Sequence, residues 1–123
     1  MNQTPKILIV DDEPNIVVPL QFLMEQNGFD VRIADTGETA IDLITRFRPD
    51  LILLDIMLPG VNGLEVCQML REDTALKKTK IILVSALGRD VDIAKGMAMG
   101  ADAYITKPFS NREIVTRVKE LLK

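Results

Sequence analysis

At 123 residues the chain is long enough for one domain with a buried core and leaves little room for a second. A composition that is 47% apolar and 27% charged is ordinary for a globular protein, and no apolar stretch is long enough to cross a bilayer. The net charge of −3 gives no electrostatic footprint for nucleic acid, the single cysteine excludes an internal disulfide, and the lack of histidine removes the commonest general base and metal ligand.

The first apolar run, Ile7-Leu8-Ile9-Val10, predicts a strand near 6–10 (β1) that ends on Asp11-Asp12. A helical pattern follows near 14–27 (α1), opened by Pro14 and stopped by Asn27-Gly28. Pro19 lies inside that pattern, where it removes a backbone donor and predicts a bend. A strand near 29–33 (β2) leads to a helix near 37–47 (α2), with Ala40, Ile41, Leu43, Ile44 and Phe47 on one face. Pro49-Asp50 introduces a strand near 50–55 (β3), in which Leu51-Ile52-Leu53-Leu54 ends on Asp55.

The next helix, near 63–73 (α3), carries Cys67 among Leu64, Val66 and Leu70, the setting of a buried, inert thiol. A strand near 80–85 (β4) runs Ile81-Ile82-Leu83-Val84 into Ser85. A helix near 90–99 (α4) stops at Gly100, and a strand near 102–106 (β5) ends on Lys107-Pro108. Ser110 and Glu113 form a capping box for the last helix, near 111–122 (α5), which turns Ile114, Val115, Val118, Leu121 and Leu122 inward.

Five βα units joined by right-handed crossovers predict an α/β fold, a parallel sheet covered on both faces. The continuously apolar β1 and β3 read as central strands, while Ile33-Ala34-Asp35 and Ala103-Tyr104 read as edges. Ligands of such sheets bind beyond the carboxyl ends of the strands. There Asp11, Asp12, Asp55, Ser85 and Lys107 converge, a set that suits a divalent cation and a phosphoryl group. Two adjacent carboxylates repel unless a cation neutralises them, and oxygen ligands with retained waters are how Mg²⁺ is held. Asp55 beside that pair can act as a nucleophile toward phosphorus, with Lys107 and Ser85 donating to phosphoryl oxygens. An aspartyl phosphatase acting on small substrates generally needs an acidic residue two positions after the nucleophile. Met57 stands there and transfers no proton. A flavin-mononucleotide site would need a hydroxyl- and glycine-rich loop where this chain has Asp11-Asp12-Glu13.

The chain resembles, over essentially its whole length, the receiver domain of bacterial two-component response regulators. The resemblance rests on Asp11-Asp12, on Asp55 in the pattern Asp-x-x-x-Pro-x-x-Asn-Gly ending at Gly63, on Ser85-Ala86, and on Gly100 through Phe109. It implies a single receiver domain over residues 1–123 and a flavodoxin-like (βα)5 three-layer sandwich with strand order 2-1-3-4-5. It implies phosphorelay signalling, with Asp55 as phosphoacceptor and Lys107 on the phosphoryl group. Asp11, Asp12, Asp55 and the Met57 backbone carbonyl would bind Mg²⁺, with Mn²⁺ as the alternative ion. Lys107-Pro108 would be a cis bond, and Ser85 and Tyr104 would form a switch pair acting on the α4-β5-α5 surface.

The implied partners are a sensor histidine kinase or a histidine phosphotransfer protein upstream, and an effector protein or fused output domain downstream. No direct contact of this domain with nucleic acid or membrane is expected. Such a domain is not an enzyme acting on other substrates, although it phosphorylates itself from small donors and dephosphorylates itself. A phosphorylation-dependent homodimer through α4-β5-α5 would draw on Asp102, Glu113, Arg117 and Lys119, but Ile93, Ala98 and Ala103 replace charges of that pattern. The rival reading from another class is a protein-interaction module on the same fold that works without phosphorylation. Met1 to Lys6 lacks the basic and apolar segments of a secretory signal, so a cytoplasmic location is expected.

Overall fold

The computed structural model describes residues 4–123. Five strands, β1 (Lys6–Val10), β2 (Asp30–Ala34), β3 (Leu51–Asp55), β4 (Lys80–Ser85) and β5 (Ala103–Thr106), alternate with five helices. The helices are α1 (Pro14–Gln26), α2 (Gly37–Phe47), α3 (Gly63–Glu72), α4 (Asp90–Ala98) and α5 (Asn111–Leu121). All strand pairs are parallel and the order is β2-β1-β3-β4-β5, the order the resemblance implies. None of the helices among the described residues is long and apolar enough to cross a membrane.

Successive strand side chains point to opposite faces, and this alternation divides the core in two. Leu8, Val10, Ile52, Leu54, Ile81 and Leu83 face one way, where Ala40 and Ile44 of α2 and Val66, Cys67 and Leu70 of α3 cover them. Ile7, Ile9, Leu51, Leu53, Ile82 and Val84 face the other, against Val17, Leu20 and Met24 of α1 and Ile114 and Val118 of α5. Every residue of β3 is buried, as its central place requires, whereas edge strand β5 alternates between buried and part-exposed positions and edge strand β2 buries only Val31 and Ala34.

Register carries the chemistry to one end of the sheet. Val10 pairs with Leu54, Asp55 with Val84, and Ser85 with Thr106, so Asp11, Asp55, Ser85 and Lys107 leave neighbouring strands at nearly one level. Strand β2 sits one residue later than its apolar pattern predicts, and α1 runs without interruption from Pro14 through Pro19 to Gln26. Packing of Val17, Leu20 and Met24 against the sheet holds that helix despite the missing donor at Pro19.

The opposite end of the sheet is tied by Arg71, in the last turn of α3. Its guanidinium donates to the carbonyls of Gly100 (2.7 Å), Thr79 (2.7 Å) and Lys77 (3.1 Å) and to Asp102 Oδ2 (2.7 Å). Asp102 Oδ2 also accepts the Ile81 N–H at 2.8 Å, so it is a structural group rather than the free surface charge that a dimer contact would use. Arg71→Ala removes a planar donor fork shared by three main-chain carbonyls on two segments and leaves Asp102 without its cation. The expected loss is about 2–3 kcal/mol in urea unfolding, with little rescue by Arg71→Lys, whose ammonium lacks the fork geometry. An unchanged unfolding midpoint in Arg71→Ala would contradict this role.

Candidate functional site

Asp11 and Asp55 are each only 4% exposed, and their carboxylates meet at the carboxyl end of the sheet. Such groups need compensation, because burial penalises the ionised form. Lys107 supplies it. Its Nζ, on a side chain only 10% exposed, donates to Asp11 Oδ2 (2.9 Å), Glu13 Oε1 (2.9 Å) and Asp55 Oδ2 (3.1 Å). The remaining carboxylate oxygens bind backbone: Asp11 Oδ1 accepts the Glu13 N–H at 2.9 Å, and Asp55 Oδ1 accepts the Met57 N–H at 3.1 Å. Each carboxylate is thereby fixed in orientation by the first turn of the loop that follows it.

The local sequence makes this possible. Asn62 caps α3 by accepting the Glu65 N–H, and Gly63 N–H donates to the Ile56 carbonyl at 2.9 Å. A Cβ on Gly63 would lie 2.2 Å from the Asp55 carbonyl oxygen, so only glycine lets the start of α3 close against the Asp55 backbone. The Asp-x-x-x-Pro-x-x-Asn-Gly pattern is thus a loop of fixed length that returns the chain beneath its own acidic residue. The Lys107-Pro108 peptide bond is cis, at the turn that aims Lys107 into the cleft.

Burial pushes the Asp55 carboxyl above its ordinary range, against the Met57 N–H and Lys107, which favour the charged form. Burial alone would lower the Lys107 ammonium. Its hydrogen bonds to Glu13, Asp11 and Asp55, with the charge of Asp55, outweigh that and raise it well above its ordinary value. The lysine therefore stays charged throughout the working pH range.

Ligand oxygens of Asp11, Asp12 and Asp55 all lie within 4.8 Å of one another. Hard oxygen donors, two of them buried and one exposed, fit a divalent cation that keeps part of its water shell. A shallow groove lined by Asp12, Met57, Pro59 and Asn62 adjoins this cluster, and the Met57 side chain is 62% exposed at its rim.

Ser85 and Tyr104 converge on one loop residue. The fully buried Ser85 Oγ accepts the Leu87 N–H at 3.1 Å, and the Tyr104 hydroxyl donates to the Leu87 carbonyl in a short hydrogen bond. The Tyr104 ring packs beneath α4, where a Cβ on Gly96 would come within 3.0 Å of its Cδ2. Burial raises the Tyr104 hydroxyl above its usual range.

The structure thus brings together Asp11, Asp12, Asp55 and Lys107, and places Ser85 at the end of the adjoining strand with Tyr104 behind it. One residue of the site was not anticipated from sequence: Glu13, whose carboxylate shares the Lys107 ammonium. The sequence offered it only as the third member of the acidic run Asp11-Asp12-Glu13.

The chain belongs to the response regulator receiver domain family, whose description matches residues 7–119. Receiver domains are regulatory phosphoacceptors of two-component signalling, work with histidine kinases and output domains, and bind Mg²⁺ at an acidic pocket. The chain is 45% identical over 118 residues to the alkaline phosphatase synthesis transcriptional regulatory protein PhoP of Bacillus subtilis (strain 168). That match covers 96% of this chain and 48% of PhoP, so the chain spans about half the length of this relative. Among solved structures, the BeF3-activated DrrB receiver domain is 34% identical with a TM-score of 0.89, covering 98% of both chains. The BeF3-activated N-terminal receiver domain of Klebsiella pneumoniae RstA is 32% identical with a TM-score of 0.89, covering 96% of this chain and 98% of the other.

The raised pKa of Asp55 has a thermodynamic consequence. The folded state binds the Asp55 proton more tightly than the unfolded chain does. Between the unfolded and folded pKa values this group therefore lowers stability as pH rises, and above the folded pKa the whole penalty is present. Asp55→Asn removes that penalty and leaves Lys107 paired with Asp11 and Glu13. The variant is expected to melt higher than wild type at neutral pH, with the difference fading as pH falls below the raised Asp55 pKa. Thermal melts of both proteins across that range check this, and a variant less stable at neutral pH contradicts it.

Proposed function

We propose that residues 1–123 form one receiver domain that takes a phosphoryl group onto Asp55 from the phosphohistidine of a sensor histidine kinase or histidine phosphotransfer protein. The observation that carries this reading is the buried Asp55 carboxylate, held 3.1 Å from the Lys107 ammonium, with an oxygen within 4.8 Å of oxygens of Asp11 and Asp12. An Asp55 oxygen attacks phosphorus in line with the bond from phosphorus to the imidazole nitrogen. That bond breaks, its electron pair stays on the imidazole, which is left neutral or takes a proton from solvent, and an acyl phosphate forms. Phosphoryl transfer of this kind depends on positioning and charge neutralisation more than on proton shuttling. Lys107 and Ser85 donate to phosphoryl oxygens. Asp11, Asp12, Asp55 and the Met57 carbonyl would hold Mg²⁺, or Mn²⁺ in its place, which supplies charge neutralisation at the phosphoryl oxygens when bound.

The switch follows from the shared partner. A Ser85 side chain that rotates toward a phosphoryl oxygen carries its Oγ away from the Leu87 N–H, so phosphorylation frees Leu87, to which Tyr104 is also bonded. Ser85 and Tyr104 thereby pass a local charge change to the α4-β5-α5 surface. The chemistry is confined to the domain's own carboxylate: self-phosphorylation from small donors, and dephosphorylation by water. Met57 and Leu87, both apolar, offer no side chain to orient that water, which favours a long-lived phosphoryl state.

The output is an effector protein or a fused output domain, in keeping with the transcriptional regulatory role of PhoP, rather than nucleic-acid binding by this acidic domain. The working location is the cytoplasm. A phosphorylation-dependent homodimer remains within this reading, but Asp102 is already engaged by Arg71 and does not serve it.

Intact-protein mass after mixing with acetyl phosphate and Mg²⁺ tests the proposal. One phosphoryl adduct is expected, labile to hydroxylamine, lost with a chelator and absent in Asp55→Asn. An adduct that persists in Asp55→Asn, or none in wild type, contradicts it and leaves a phosphorylation-independent interaction module.

A further inference from the structure

A lysine ammonium has three N–H donors and no more. In this structure all three are used, on Asp11, Glu13 and Asp55. For Lys107 to reach a phosphoryl oxygen, one of these bonds has to break. Asp11 and Asp55 are buried, and each is also fixed by a backbone N–H. Glu13 differs on both counts: its side chain is 58% exposed and, among the described residues, receives no hydrogen bond other than that from Lys107.

Its position sharpens the point. Glu13 is the N-cap of α1, but its side chain makes no capping hydrogen bond. Glutamate is not among the residues favoured at an N-cap. The backbone of Glu13 does the local structural work, its carbonyl accepting from Ile16 and Val17 and its N–H donating to Asp11. The carboxylate is left to Lys107 alone.

We propose that Glu13 is a positioning residue that holds the Lys107 ammonium at the mouth of the cleft and competes with the incoming phosphoryl group for it. This rests on the receiver reading above. Glu13 releases the lysine when a donor binds, so the domain resists phosphorylation by small anionic donors while Lys107 stays available to a donor that displaces the carboxylate. The competition acts through one partly exposed ion pair. Its removal is therefore expected to be worth no more than about a two- to fivefold change in rate.

The test compares the apparent second-order rate of phosphorylation by acetyl phosphate, at saturating Mg²⁺, for wild type, Glu13→Ala and Asp35→Asn. Asp35 is an exposed acid lining the same groove as Asp11 and Asp12, with no contact to Lys107, so it controls for simple loss of negative charge. Glu13→Ala is expected to react about two- to fivefold faster than wild type, with a clearly smaller gain in Asp35→Asn. The Glu13→Ala gain should vanish when Lys107 is also changed to Ala. An equal gain in Asp35→Asn, a gain that survives loss of Lys107, or an unchanged or slower Glu13→Ala overturns the inference while leaving Asp55 as phosphoacceptor. Failure of wild type to take any phosphoryl group overturns both.

Discussion

Carboxylates collected at one end of a parallel sheet repel one another, and two of those here are buried. The Lys107 ammonium compensates Asp11 and Asp55 at that depth, reaching from the end of edge strand β5 past β4 to strands β3 and β1. Removing such a cation would leave uncompensated buried charge, which costs far more than the pair itself contributes. The same interaction sets the chemistry. A site that needs positive charge to exist is also one that attracts a divalent cation and the oxygens of a phosphoryl group. The lysine is the permanent part of that charge.

The rest of the fold serves to keep this arrangement in register. Strand pairing places the four strand ends at one level, and Gly63 closes the loop beneath Asp55. At the far end Arg71 binds α3 to the segments that begin β4 and β5, so both strands leading to Ser85 and Lys107 are anchored where they start. At the carboxyl end Leu87 joins Ser85 and Tyr104, holding the first through its N–H and the second through its carbonyl. On the proposed reading, a charge added at Asp55 acts on α4 through that residue.

Much of this was legible in the sequence for a physical reason. Strands buried on both faces read as unbroken apolar runs, so a polar residue directly after each run marks a strand end, and Asp11, Asp55 and Ser85 were visible in that way. The edge strands are only partly buried, and their ends are correspondingly softer: β2 falls at Asp30–Ala34 rather than 29–33. What stayed hidden were interactions whose partners are backbone or distant in sequence. Three of the four acceptors of Arg71 are carbonyls, which no side-chain pattern reports, and Asp102 consequently looked like a surface charge. Glu13 was hidden by its neighbours, since an acid at a helix start needs no further explanation until a lysine 94 residues away is found against it.

The most direct measurement is the structure of the domain with Mg²⁺ and beryllofluoride, the stable mimic of a phosphoryl group. Beryllofluoride is expected on an Asp55 oxygen, with Lys107 and Ser85 donating to its fluorines, the Ser85 bond to Leu87 broken, and Glu13 released from Lys107. Beryllofluoride absent from Asp55, or bound there with Lys107 still on Glu13 and Ser85 still on Leu87, would contradict this.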